Sequence, residues 1–261
     1  MNLNYINFHS DLQTLLDQKY NQYCVIDFIS DDPISIPKRF IVKEDIEISA
    51  FLTALISWGR RPAIIKSATF LMELMDNQPY NFVMSANEQQ LKRLDTFVYR
   101  TFNTSDLLFL IAALKSVYTD HGGLERIANG TWAETGEIKS VIMALRDELL
   151  KTDHLTRSEK HLANPLKGSS AKRINMFLRW MVRGNTEGVD FGLWSKIPTN
   201  ALICPLDVHS GTVARKLGLL SRLQNDWKAA EELTLKLKMY DPSDPIKYDF
   251  ALFGMGIYEK L

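Results

Sequence analysis

This 261-residue sequence contains only two cysteines. It also has no long apolar run and no net charge. Two cysteines can neither form a disulfide framework nor supply the four thiolates of an iron–sulfur cluster. No run of about 18 uninterrupted apolar residues predicts a membrane span, and no basic segment followed by an apolar run predicts a signal peptide. We therefore expect a cytoplasmic protein without a membrane segment. A formal net charge of zero argues against a highly basic nucleic-acid coat protein.

The alternation of apolar and polar residues that is typical of long β-strands is also missing. Apolar residues instead recur at helical spacing along most of the chain. Ser105 is a candidate N-cap because its hydroxyl can accept a hydrogen bond from the first helical turn. The sequence predicts an all-α fold with helices over residues 11–20, 44–56, 63–75, 80–86, 88–94, 105–118, 135–150, 174–182, 212–220, 226–239 and 246–258.

Basic residues are concentrated in one part of the chain. Residues 151–183 hold eight Lys and Arg against two acids, a local excess of six positive charges. Such a patch attracts phosphates, although a solvated basic face would have the same composition.

The most informative stretch is Leu166–Leu220. It opens with a Gly/Ser turn, 166–172, that can present backbone N–H groups, and Lys172 ends that turn. Further along, Asp207 follows Pro205 just before another predicted helix. A Lys and an Asp placed in this way indicate a site that acts on a nucleotide.

The turn 166–172 resembles the Leu-Pro-Gly-Val-Gly-x-Lys hairpin of helix-hairpin-helix DNA glycosylases. Residues 205–209 resemble the Val-Asp-x-His segment of the same enzymes, and residues 213–219 and 51–57 continue the similarity. The superfamily is typified by endonuclease III and 8-oxoguanine DNA glycosylase. Residues 175–183 and 244–257 are also similar to those of a bacterial family described as uncharacterised.

The resemblance implies a two-lobed helix-hairpin-helix glycosylase-like fold over residues 1–261. A central helical lobe would cover about 45–150, the hairpin and Asp segment about 151–220, and C-terminal helices would pack back over 221–261. Lys172 would be the amine nucleophile that attacks C1′, and Asp207 would stabilise positive charge on the sugar. Both are expected at the cleft between the lobes.

The resemblance also implies a set of DNA contacts. Backbone N–H groups of the hairpin would bind a phosphate. The resemblance allows a monovalent cation at the hairpin, and it implies neither an iron–sulfur cluster nor another metal. The DNA-binding residues implied are Gly168, Ser169, Ser170, Arg173, His209, Arg60 and Arg61. Candidates for a pocket that stacks the excised base are Trp58, Trp180 and Trp194.

Several alternatives remain open for these residues. Trp58 could pack in the core while Arg60 and Arg61 are solvated. Lys172 could contact a phosphate without chemistry, and Asp207 could serve as the N-cap of the following helix. The N-cap role does not exclude catalysis.

The function that the resemblance implies is base-excision repair by a monomeric DNA glycosylase with AP lyase activity on double-stranded DNA. 8-Oxoguanine is the first candidate base, and oxidised pyrimidines are the second. One alternative is a noncatalytic helix-hairpin-helix DNA-binding protein. Others are an enzyme that acts on another nucleotide or on RNA, and a helical interaction protein.

Overall fold

This computed structural model describes residues 3–184 and 186–261, with side chains from Ser10 onward. This part of the chain contains helices and no β-strand, which confirms the all-α prediction. The α-helices are α1 (Leu3–Tyr23), α2 (Lys43–Leu55), α3 (Arg61–Leu74), α4 (Pro79–Ser85), α5 (Glu88–Arg93), α6 (Thr104–Ser116), α7 (Leu124–Thr135), α8 (Ile138–Leu149), α9 (Lys172–Val182), α10 (Val208–Lys216), α11 (Trp227–Leu237) and α12 (Tyr248–Tyr258).

The predicted helix 11–20 begins earlier, at Leu3, and capping explains two other predicted helix starts that are wrong. Asn103, rather than Ser105, is the N-cap of α6, because it forms a reciprocal capping box with Asp106. The predicted helix 212–220 begins four residues earlier, at Val208, because the Asp207 side chain caps it. The cap residue therefore decides where these two helices start.

The prediction missed one helix. α7 occupies residues 124–135, where polar residues and Gly130 weaken the apolar pattern. Gly136 then ends α7 in the left-handed conformation, and α8 starts only at Ile138. The helix predicted over 135–150 is therefore the second of two helices in this region.

The chain forms two compact units, which we call the hairpin unit and the α2–α8 unit. The hairpin unit comprises the residues up to Phe28, Leu166–Gly192 and Pro198–Leu261. The α2–α8 unit comprises Ile29–Pro165 together with the short segment Leu193–Ile197.

The core of the hairpin unit is built around α12, whose residues Tyr248–Leu252 are all buried. Helices α1 and α10 pack against it at two glycines. A Cβ atom at Gly254 would lie 2.1 Å from the Tyr23 ring, and one at Gly256 would lie 3.0 Å from Cβ of His209. Glycine is therefore required at 254, whereas a side chain at 256 would need His209 to shift by a few tenths of an ångström.

The core of the α2–α8 unit is built around α2, which is buried from Ile46 to Leu55. The one charged residue in this buried stretch is Glu47, whose carboxylate accepts hydrogen bonds from Tyr118 Oη (2.8 Å) and Trp194 Nε1 (2.9 Å). These bonds satisfy a carboxylate that burial would otherwise destabilise. No helix in the described residues is both long and apolar enough to cross a membrane.

Candidate active site

The Gly/Ser turn has the backbone geometry of a tight reversal. Gly168 (φ 85°) and Ala171 (φ 52°) both adopt left-handed conformations. The Ala171 N–H donates to Oγ of Ser169 over 3.1 Å, which closes the turn before α9 begins at Lys172. Because Ala171 is the N-cap, no side chain caps α9 from that position, and the positive end of its dipole lies at the turn.

The segment before the turn differs from a regular helix-hairpin-helix. Two short 3-10 helices, Thr156–His161 and Pro165–Lys167, occupy the place of the preceding α-helix. Pro165 has no N–H to donate and restrains the residue before it, so an α-helix does not run up to the turn.

Lys172 and Asp207 both lie half-buried in the hairpin unit, at the start of α9 and of α10. Oδ1 of Asp207 accepts hydrogen bonds from the Ser210 N–H (2.9 Å) and Oγ (3.2 Å), so Asp207 is the N-cap of α10. Among the described residues, neither Asp207 Oδ2 nor Lys172 Nζ has a hydrogen-bond or ion-pair partner. Both groups keep an available polar atom.

Asp249 on α12 links these two residues electrostatically. Burial raises the pKa of the Asp249 carboxyl to about 6. The Arg179 guanidinium lowers this pKa, the Asp207 carboxylate raises it and the Lys172 ammonium lowers it. The charges of Lys172 and Asp207 therefore both act on one buried carboxyl, so the structure brings the two predicted catalytic residues into the same electrostatic environment.

A buried ionic network continues from Asp249 along α9. Arg179 donates to Oδ2 of Asp249 (2.5 Å) and to Oδ1 of Asp190 (3.3 Å). Arg183, one turn later, donates to Asp190 (3.1 Å) and to Asp244 (2.9 Å). Two of the eight basic residues in 151–183 are thus buried and paired within the protein, so they do not contribute to a phosphate-binding surface.

Sequence reasoning missed Asp190 and Asp249 as members of this site. The sequence carries a signal for Asp249, because it is the one charged residue of α12, but none for Asp190. A charge in that position is rarely buried unless it is paired. The sequence does not show which charge pairs with which.

Hydrogen bonds join the turn to the Asp207 segment and to the loop before α11. Ser169 forms a backbone bridge with Asp226, and the Trp227 N–H donates to the Gly168 carbonyl oxygen over 3.2 Å. Asn225 Nδ2 donates to the Asp207 carbonyl oxygen over 3.0 Å. The N-terminal ends of α9, α10 and α11 are therefore held together as one framework.

The other predicted residues of the hairpin unit differ in exposure. Gly168, Ser169 and His209 are exposed, whereas Ser170 and Arg173 are half-buried. Desolvation lowers the pKa of Arg173 to about 10, so its guanidinium remains charged at neutral pH. The exposed residues can meet a phosphate without rearrangement.

Two of the three candidates for a base pocket are core residues. Trp180 in the hairpin unit and Trp194 in the α2–α8 unit have no exposed surface, so neither presents an open face for a base in this structure. Both are buried because a large aromatic side chain stabilises a core by its area.

Trp58 is the half-buried exception and belongs to the α2–α8 unit, with Arg60 and Arg61. Its ring stacks on His161 with centroids 5.9 Å apart, and its carbonyl oxygen accepts a hydrogen bond from Tyr99 Oη over 2.6 Å. Arg60 is exposed and Arg61 is half-buried. Within the described residues, no three His, Cys, Asp or Glu side chains are placed to hold a metal ion.

Comparison with known proteins identifies the family of the chain. A family described as proteins of unknown function (DUF2400) matches residues 32–258, and the chain belongs to that family. No curated protein and no solved structure matches the chain significantly.

Proposed function

We propose that the protein is a DNA base-excision glycosylase with AP lyase activity. The observation that supports this most strongly is the placement of Lys172 and Asp207 at two neighbouring helix starts, where both act on the buried carboxyl of Asp249. An amine and a carboxylate are the two groups that such a reaction needs, and each has a polar atom without a partner among the described residues. The resemblance of the two motifs to those of helix-hairpin-helix glycosylases supports the same function.

In the first step, the neutral Lys172 amine attacks C1′ of the damaged nucleotide. Its lone pair forms the new C1′–N bond as the glycosidic C1′–N bond breaks, and the released base takes that electron pair and a proton. Asp207 stabilises the positive charge that develops on the sugar in this step. A neutral amine is required because an ammonium has no lone pair to donate.

The second step cleaves the strand. The lysine nitrogen loses a proton, to Asp207 Oδ2 or to solvent, and its lone pair then forms the C1′=N double bond. The sugar ring opens as the C1′–O4′ electron pair moves to O4′, which takes up a proton from solvent. The product is a protonated Schiff base. Loss of a C2′ proton then breaks the C3′–O bond, and the 3′-phosphate leaves with its electron pair.

The substrate in this proposal is double-stranded DNA that carries an oxidised base, with 8-oxoguanine first and oxidised pyrimidines second. The protein would act as a cytoplasmic, nucleoid-associated monomer. The test is base excision on duplexes with one defined lesion, read as strand cleavage on a denaturing gel with and without alkali. We expect cleavage without alkali on one lesion class and none on undamaged duplex. No cleavage on any lesion, with and without alkali, would contradict the proposal.

One observation favours a noncatalytic DNA-binding protein as the second candidate. Asp207 Oδ1 is fully engaged in capping α10, and Lys172 and Asp207 form no ion pair with each other among the described residues. In that case Lys172→Ala would weaken DNA binding modestly and in a salt-dependent manner, because only a phosphate contact would be lost.

A further inference from the structure

Asn175, three residues after Lys172 on α9, is a polar residue buried in the core of the hairpin unit. It is 1% exposed, and its Nδ2 donates a hydrogen bond to the Ser170 carbonyl oxygen over 3.1 Å. Its Oδ1 is buried and has no hydrogen-bond partner among the described residues. An unpaired buried acceptor costs stability, and an apolar side chain would avoid that cost. The contribution of the amide is therefore its bond to the Ser170 carbonyl oxygen.

Ala171, the residue before Lys172, has a backbone conformation that alanine rarely adopts. Its φ of 52° and ψ of 30° lie in the left-handed region. Glycine enters this region without steric cost, whereas the Cβ atom of alanine approaches a carbonyl oxygen there. A strained residue of this kind persists only where the surrounding structure holds it in place.

Hydrogen bonds fix both peptide groups that flank Ala171. The peptide group before it is held at its two ends, because the Ala171 N–H donates to Ser169 Oγ (3.1 Å) and the Ser170 carbonyl oxygen accepts from Asn175 Nδ2. The peptide group after it is held by the Asn175 N–H, which donates to the Ala171 carbonyl oxygen over 2.9 Å. The orientations of these two groups determine φ and ψ of Ala171. Any residue at position 175 supplies the backbone bond, but the side-chain bond needs an amide.

The strained residue lies between the two predicted catalytic groups. Lys172 follows it directly, so the direction in which the lysine side chain leaves the backbone depends on the conformation of Ala171. On the other side, Ser170 Oγ donates a long hydrogen bond (3.4 Å) to the carbonyl oxygen of Leu206, the residue before Asp207. Relaxation of the turn would move the amine relative to the carboxylate. A displacement of about 1 Å is enough to slow a reaction about a hundredfold.

We propose that Asn175 is a positioning residue for Lys172. Its amide keeps the peptide group between Ser170 and Ala171 from relaxing, and the strained turn that results holds the amine where it reaches C1′. This inference rests on the proposed function, since it assigns a role in the reaction of the Lys172 amine. Asn175 acts through the backbone of the turn and does not contact the substrate.

The experiment is a double-mutant cycle read by borohydride trapping on an abasic duplex at saturating protein. We expect Asn175→Leu to slow adduct formation by about 10- to 100-fold, because the turn relaxes. Its Kd for a duplex with a tetrahydrofuran abasic analogue should stay within about twofold of the wild-type value, because no DNA contact is lost. Asn175→Ala adds no volume and should give the same result if leucine does not fit the site.

Ala171→Gly provides the rescue. Glycine adopts the left-handed conformation without strain, so Ala171→Gly alone should react within about threefold of the wild-type rate. In the Ala171→Gly background, Asn175→Leu should slow the reaction at least about fivefold less than it does in the wild-type background. A residue that only stabilises the core would give equal losses in the two backgrounds, and equal losses would overturn the proposal.

Asn129→Leu is the matched control, because Asn129 on α7 also has a buried Oδ1 without a partner among the described residues. It should react at the wild-type rate. If the wild type forms the adduct and Asn175→Leu and Asn175→Ala form it equally fast, the positioning role is wrong while the proposed function stands. A loss of affinity equal to the loss of rate would make Asn175 a binding residue and overturn the proposal. If the wild type forms no adduct on any duplex, both are wrong.

Discussion

Arg179 on α9 donates a hydrogen bond from Nη1 to Oδ2 of Asp249 on α12 over 2.5 Å, and both side chains are buried. Removal of Arg179 leaves Asp249 as an uncompensated buried charge. We expect Arg179→Met alone to lower the free energy of unfolding by about 3–5 kcal/mol in urea denaturation. Arg179→Met combined with Asp249→Leu should lose less than the single variant does, because neither charge is then left alone.

The exposed pair between Arg93 and Asp76 provides the control for that experiment. Arg93→Met should change the free energy of unfolding far less than Arg179→Met does, since solvent screens an exposed pair. Equal losses for the two variants would show that the buried pair has no special role in stability.

Asp249 should titrate near pH 6, because its pKa is raised to about 6 by burial. The folded state then binds this proton more tightly than the unfolded state, whose pKa is about 3.9. The stability contribution of Asp249 is therefore fully present below pH 4 and is lost as the pH rises through 6. Carboxyl carbon NMR of aspartate-labelled protein measures this directly. The resonance that titrates near 6 should be absent in Asp249→Asn, and an Asp249 midpoint below 4 would contradict the assignment.

The two roles of Asp207 can be separated by a pair of variants. Asn caps a helix about as well as Asp does, so Asp207→Asn should leave the free energy of unfolding nearly unchanged, whereas Asp207→Ala should cost about 1 kcal/mol. Both variants remove the carboxylate and should lose base excision alike. Excision that persists in Asp207→Asn would show that Asp207 acts as a cap without a catalytic role.

Much of the fold follows from local sequence signals, and the predicted helices with clear apolar spacing are present. α7 was missed because Gly130 and its polar neighbours interrupt the helical spacing of apolar residues. The starts of α6 and α10 depend on the side chain that caps each of these helices. The motif residues Lys172 and Asp207 could be identified from sequence. The ion pair between Arg179 and Asp249 could not, because it joins residues 70 positions apart and depends on tertiary packing.

Gly211 in α10 lies against two side chains that hold the loop before α11 by hydrogen bonds. An added Cβ would lie 2.8 Å from Oδ1 of Asn225 and 2.9 Å from Nη1 of Arg215. Gly211→Ala should therefore cost about 1–3 kcal/mol by displacing these side chains. At Gly130 in α7, nothing lies within 4 Å of an added Cβ, so Gly130→Ala should stabilise the protein by about 0.5–1 kcal/mol. Thermal denaturation of the two variants should show opposite shifts, and a shift in the same direction would contradict this account of the loop.

The central claim is that Lys172 forms a covalent bond with the sugar. Borohydride reduces a Schiff base to a stable amine, so it traps the protein on duplexes with an abasic site, 8-oxoguanine or an oxidised pyrimidine. Lys236→Ala, which removes an exposed lysine on α11, is the matched control for Lys172→Ala. We predict an adduct for the wild type and for Lys236→Ala, and none for Lys172→Ala. An adduct of undiminished yield with Lys172→Ala, or no wild-type adduct on any duplex despite DNA binding, would contradict the claim.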